Sequence, residues 1–206
     1  MQQSILIKYG GNAMTDVTLR EEVLNSIAEL RKSYKVILVH GGGPEIGKTL
    51  EMAGIESRFM GGHRVTGDDA IHYVEMALSG KVNGLLVSGL NRSHAKAVGI
   101  SGKSGNLVTA RKRSYLEKGV SFDLGHVGDV ETVDPTVVNI LLDNKYTPVV
   151  SPVSLGKDGK DYNINADMFA GHLAAASAVG HYVVLTDVDG LRLDPNDVES
   201  LTSEVS

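Results

Sequence analysis

The chain has 206 residues, 42% of them hydrophobic, which is enough for one substantial core or for two lobes that share a sheet. Lys and Arg number 20 against 25 Asp and Glu, so the net charge of -5 offers no general attraction to nucleic acid or to an anionic membrane surface. Cysteine is absent, which excludes disulfides, thiolate metal sites and cysteine nucleophiles; no uncharged apolar run reaches the roughly 18 residues that span a bilayer, and a soluble, cytoplasmic protein is expected.

In chain order, short β-branched or apolar runs at Ser4 to Tyr9, Lys35 to His40, Ala95 to Ile100, Thr147 to Ser151 and His181 to Thr186 predict strands. Helical patterns lie between most of them. Leu19, Val23, Ile27 and Leu30 recur at spacings of three and four within Thr18 to Tyr34, which makes one helix face, and similar patterns occupy Asp68 to Leu78, Pro135 to Leu142 and Asp167 to Val179. The alternation predicts an α/β fold, a three-layer sandwich with a mainly parallel central sheet and helices on both faces. Two stretches break it: Glu56 to Thr66 with Gly61 and Gly62, and Asn106 to Val130 with Gly125 and Gly128, both expected to be hairpins or flaps inserted between the α/β units.

The stretch VHGGGPEIGKTL contains, from Gly42 to Thr49, the spacing G-x-x-x-x-G-K-[ST] of a phosphate-binding loop. The position of Glu45 argues against that reading, because a carboxylate inside a nest of backbone N–H groups repels phosphate. A helix accounts for the same letters better: Pro44 suits a first turn, Glu45 complements the positive helix end, and Ile46, Leu50 and Ala53 share a face, which leaves Lys48 as a solvated surface lysine. An anion would then meet Gly41, Gly42 and Gly43, between a strand end and a helix N-terminus; a tight strand-to-helix turn explains those glycines equally.

A second glycine loop favours the anion site. In ILIKYGGN, Lys8 ends the first strand and Gly10 and Gly11 follow; ligands of open α/β sheets sit outside the carboxyl ends of strands, so the two loops are expected to converge on one polyphosphate. In YNINAD, Asn163, Asn165 and Asp167 alternate and point one way in an extended segment, with Asp167 placed to cap the next helix; capping by itself would also explain them. LTDVDG is an apolar strand ending in Asp187, and a turn made by Asp and Gly is the plainer account. Arg64 is a lone arginine in a glycine loop. His40, His63 and His126 match no metal-ligand spacing and are expected to make loop hydrogen bonds.

Taken in order, IKYGGN, VHGGGPEI, GGHRVT, AVGISGKSGNL, DLGHVGDV, YNINAD and LTDVDGL resemble the amino acid kinase family, most closely those members that use ATP to phosphorylate the side-chain carboxylate of N-acetyl-L-glutamate in arginine biosynthesis. The resemblance implies that Lys8 stabilises the phosphoryl group in flight and that Asp167 orients the catalytic lysines. It further implies that Gly10, Gly11, Gly42 and Gly43 present backbone N–H groups to the phosphates or the reacting carboxylate, that Arg64 grips the α-carboxylate, and that Asn163 and Asn165 flank the acetylated amino acid. Asp187, Val188, Asp189, Gly190, Leu191 and Arg192 would border the nucleotide. A planar guanidinium suits a carboxylate and amides suit an acetamide. An ionised carboxylate acceptor has no proton to remove, so no general base is expected, and Mg²⁺ would arrive with ATP, held mainly by phosphate oxygens and water rather than by protein ligands.

The resemblance also divides the chain into residues 1–180, a lobe for acetylglutamate binding and dimerisation, and residues 181–206, the incomplete start of a nucleotide-binding lobe. The family pattern continues beyond the position of Ser206 with a Gly-Gly-Met stretch carrying a second catalytic lysine and with a last strand; a fold truncated at the C-terminus is therefore expected. It also includes, in arginine-inhibited hexamers, an N-terminal helix that precedes the first strand, and a homodimer insensitive to arginine is expected here. The alternatives are a family member acting on carrier-bound aminoadipate or glutamate, an inactive truncated binding module, and the P-loop NTPase that the spacing from Gly42 to Thr49 would signal.

Overall fold

The computed structural model describes residues 2–117, 119–186, 191–192 and 201–202. Its centre is a five-stranded, all-parallel sheet built from β1 (Ser4–Tyr9), β2 (Lys35–His40), β5 (Ala97–Ser101), β8 (Thr147–Ser151) and β11 (His181–Leu185), in the order β11-β1-β2-β8-β5. Three of the five strands have the bounds expected from the sequence. The run expected at Ala95 to Ile100 is displaced to Ala97–Ser101, because Ala95 lies in the turn that precedes the strand.

The strands are buried on both sides, so their residues sort by parity into two cores. Ile5, Ile7, Val36, Leu38 and Val149 face α1 (Val17–Leu30) and α4 (Asn83–Arg92), where Leu24, Ile27, Leu86 and Leu90 meet them. Leu6, Ile37, Val39 and Val150 face α5 (Thr136–Asp143) and α6 (Ala166–Ala176), which contribute Val138, Leu142, Phe169 and Leu173. This is the expected three-layer α/β sandwich. The oxygen of Asp16 starts α1 by accepting from the Leu19 N–H at 2.9 Å, a side-chain N-cap.

The VHGGGPEIGKTL stretch is strand, turn and helix: α2 spans Gly43–Met52, with Pro44 in its first turn and Ile46 and Leu50 buried. The helical stretch expected at 68–78 goes further. After α3 (Asp68–Glu75) comes a π-helix, Met76–Val82, which runs on into α4. The sequence reading gave no helix at 83–92.

Both inserted segments are hairpins. β3 (Arg58–Met60) pairs with β4 (His63–Val65). β6 (Val108–Glu117) pairs with β7 (Val120–Val133), so the longer hairpin extends past the expected 106–130 and reverses direction near Gly119 rather than at Gly125 or Gly128, both of which lie inside β7. With β9 (Val153–Gly156) and β10 (Asp161–Ile164), this hairpin closes a small barrel in the order β10-β7-β6-β9. A two-residue antiparallel pair, β12 (Leu191–Arg192) with β13 (Leu201–Thr202), is the last described element. Among the described residues no helix is long and apolar enough to cross a membrane.

Candidate active site

The site forms where parallel register brings strand ends together. Lys8 pairs with Val39 and Tyr9 with His40, so the chain leaves β1 at Gly10 and β2 at Gly41 at the same level. The Gly41 N–H donates to the Tyr9 carbonyl at 3.1 Å and the Gly10 N–H to the Leu185 carbonyl at 2.9 Å, which locks both turns to the sheet. A Cβ on Gly11 would stand 2.9 Å from the Gly43 nitrogen and 3.0 Å from the Gly42 nitrogen. Two loops can approach this closely only where no side chain intervenes. At the start of α2, the N–H groups of Gly42 and Gly43 have no intrahelical acceptor, and with the helix dipole they make an anion site.

Lys8 lies on the same face of β1 as Leu6, the face that α6 covers. Its Nζ therefore meets the first turn of α6 and pairs with Asp167 Oδ1 at 2.9 Å, with side-chain exposures of 9% and 56%. The expected cap is corrected here: Asn165, not Asp167, is the N-cap, its Oδ1 accepting from the Asp167 N–H at 2.9 Å and the Met168 N–H at 3.2 Å. A cap must precede the first helical turn with an extended backbone, and Asp167 is already helical. The cap leaves the Asp167 carboxylate free for Lys8.

A cavity of about 230 Å³ joins these groups to Arg64, Asn163 and Asn165. The β3–β4 hairpin forms one wall. There Arg64 donates to Ser57 Oγ and, at 3.1 Å, to the Gly43 carbonyl, and its guanidinium lies 4.6 Å from the centre of the Phe59 ring. Burial lowers the Arg64 pKa, as it does that of His63 on the same wall. The hairpin is rooted in the barrel, since Thr66 N–H donates to the Leu124 carbonyl at 3.0 Å and His126 N–H to the Thr66 carbonyl at 2.7 Å. The cavity thus brings together a lysine, the N–H groups of a glycine turn, an arginine and two side-chain amides, a set that suits an acidic ligand.

Of the expected site residues, Lys8, Gly11, Gly42, Gly43, Arg64, Asn163, Asn165 and Asp167 line this one cavity. Gly10 stands beside it, the position of its missing Cβ 3.6 Å from Lys8 Nζ. Asp187, Val188, Asp189 and Gly190 lie outside the described residues; Leu191 and Arg192 form the backbone of β12. Lys48 is exposed on α2, as the helical reading requires. Phe59 was not anticipated, and its signal was an aromatic residue five positions before the lone arginine. Among the described residues no group of three or more His, Asp or Glu is arranged to hold a metal ion.

A larger cavity, about 610 Å³, opens at the opposite, amino end of the sheet among Arg31, Lys32, Lys35 and Lys145. Its cations are mostly engaged: Arg31 donates to the carbonyls of His94 and Lys145, Lys35 pairs with Asp143 at 2.7 Å and Lys32 with Glu29 at 2.6 Å. None of the motif residues reaches it.

Fold and site together define a class, and the chain belongs to the amino acid kinase family, whose model matches residues 3–206. More particularly, it is similar to the acetylglutamate kinase of Methanococcus aeolicus, with 40% identity over 209 residues covering 99% of this chain and 71% of that protein. The acetylglutamate kinase of Archaeoglobus fulgidus is 43% identical over 207 residues, covering 98% and 71%. Among solved structures, a protein of Streptococcus mutans superposes with a TM-score of 0.79 at 30% identity, covering 94% of this chain and 76% of that one.

Proposed function

We propose that the chain is a kinase that transfers the γ-phosphoryl group of ATP to the side-chain carboxylate of N-acetyl-L-glutamate, giving N-acetylglutamyl 5-phosphate for arginine biosynthesis. The observation that carries this reading is the convergence of the Lys8–Asp167 pair, the Gly11, Gly42 and Gly43 backbones and Arg64 on one cavity, in a chain about 40% identical to acetylglutamate kinases along nearly its whole length.

The side-chain carboxylate attacks the γ-phosphorus, one carboxylate oxygen forms the new bond, and the bond to the bridging oxygen of ADP breaks. Charge accumulates on the phosphoryl oxygens and nothing needs deprotonation, so alignment and fixed positive partners do the work. Lys8, held by Asp167, supplies the mobile charge, and the N–H groups of Gly11, Gly42 and Gly43 supply fixed donors. Arg64 takes the α-carboxylate, with Asn163 and Asn165 beside the acetamide. Residues 1–180 hold the acceptor and 181–206 begin the nucleotide side; β11, which opens the second segment, is hydrogen-bonded to β1. Mg²⁺ enters with ATP, held mainly by phosphate oxygens and water. A homodimer in the cytoplasm completes the reading.

The test is an ATP-dependent hydroxamate assay with N-acetylglutamate, glutamate and aminoadipate as acceptors. Hydroxamate formation with N-acetylglutamate alone is expected; preference for either other acid would overturn the assignment.

A further inference from the structure

The continuous helix from Asp68 to Arg92 adopts π geometry at Met76–Val82, a rare departure that occurs frequently at functional sites. Here its side chains press on the back of the glycine turn. Leu78 Cδ2 stands 2.7 Å and Val82 Cγ2 3.2 Å from where a Cβ on Gly42 would be, and Lys81 pairs with Glu45 of α2 at 2.7 Å.

Directly after the π turns comes Asn83, a polar residue buried in an apolar stripe with Val82, Leu86 and Leu90. Its Nδ2 donates to the Val149 carbonyl at 2.9 Å and to His40 Nε2 at 3.1 Å. A ring nitrogen that accepts carries no proton, so the His40 proton sits on Nδ1, and Nδ1–H donates to the Gly41 carbonyl at 2.9 Å. Burial pushes the His40 pKa down to about 4, opposed only by the bond to Gly41, which keeps the ring neutral near pH 7.

The Gly41 carbonyl and the Gly42 N–H belong to one trans peptide plane and point in opposite directions. Fixing the first therefore aims the second, and in a run of glycines no side chain resists rotation of that plane. We propose that Asn83 and His40 are positioning residues for phosphoryl transfer: through the Gly41 carbonyl they set the Gly41–Gly42 peptide and so aim the Gly42 N–H at the reacting phosphoryl group. Neither residue lines the cavity. The proposal rests on the kinase assignment above.

The test compares wild type with His40→Leu, His40→Asn and Asn83→Ala by kcat, by KM for N-acetylglutamate and by thermal unfolding. His40→Leu removes the donor, and kcat is expected to fall by about tenfold to a hundredfold with KM within about twofold. His40→Asn restores a donor to the Gly41 carbonyl and recovers most of kcat. Asn83→Ala releases the His40 ring from its amide partner, so kcat is expected to fall in the same direction, with KM again within about twofold. Unchanged kcat in His40→Leu, or an equal loss in His40→Asn, overturns the role. If His40→Leu does not fold, Asn83→Ala decides, and an unchanged kcat there overturns the role. A wild type without turnover overturns the kinase assignment instead. The ¹⁵N–¹H signal of Gly42 then reads the relay: a shift in Asn83→Ala supports it, and an unmoved signal overturns it.

Discussion

A lysine at 8% exposure is stable at a strand end only if a carboxylate or backbone acceptor replaces its water, and Asp167 does so for Lys8 at 2.9 Å. The pair holds Nζ in one place while Asp167, itself exposed, keeps contact with solvent. Lys8→Ala is expected to lower kcat by about a hundredfold or more, the scale seen when one donor to a developing oxyanion is removed, while calorimetry still detects N-acetylglutamate binding. On the proposed reading Arg64 binds a part of the substrate that does not react. Arg64→Ala is therefore expected to raise KM for the amino acid by about tenfold to a hundredfold with a smaller change in kcat, and an unchanged KM would remove it from the site. Lys48 gives the contrasting case. Exposed on α2, it is expected on replacement by Ala to change nucleotide affinity by less than about 0.5 kcal/mol; a loss of several kcal/mol would restore the P-loop reading of GGPEIGKT.

At the scale of elements, Asn165 serves two ends of one argument. Its Oδ1 caps α6, which fixes where Asp167 emerges, and it also lines the cavity. The two roles separate by substitution. Asn165→Asp keeps the accepting oxygen, so thermal stability is expected to hold while KM for N-acetylglutamate rises through loss of the amide donor. Asn165→Ala loses the cap as well and is expected to cost about 1 kcal/mol in urea unfolding. If both variants unfold alike, Asn165 is not the cap that matters. The β3–β4 hairpin depends in the same way on a neighbouring element: the Tyr115 ring of β6 covers the turn at Gly61, and Thr66 is bonded to β7, so the wall that carries Arg64 is placed by the barrel.

For the whole molecule, burial of neutral His40 links stability to pH. The unfolded chain takes up a proton near pH 6.5, whereas the folded chain refuses it until about pH 4. Stability from this group is therefore complete above pH 6.5 and is lost as pH falls between those values, by about 3 kcal/mol over the window. Asp68, Asp123, Asp134 and Asp158, whose pKa values are lowered by hydrogen bonds, lose stability in the same direction at lower pH. They are common to wild type and variant. Urea unfolding at pH 7 and pH 4.5 is accordingly expected to show a smaller loss in His40→Leu than in wild type, and equal losses would place His40 outside the core.

The sequence by itself determined what periodicity and local chemistry encode. β1, β2 and β8 were legible because a strand buried on both faces reads as an apolar run, and α2 was legible because Pro44, Glu45, Ile46 and Leu50 satisfy helix rules within two turns of each other. Eight of the expected site residues line one cavity; a tight turn or a cap would also have explained many of them locally, and the order of the motifs in the family resemblance is what singled them out. Only the tertiary structure decided the rest. The cap passed from Asp167 to Asn165 because the first helical residue depends on how β10 delivers the chain to α6. Asn83 could not be read at all. A single buried amide in a helix gains meaning only when the packing of α4 on the sheet brings it to His40 and the Val149 carbonyl, and that approach is not written in the neighbouring residues.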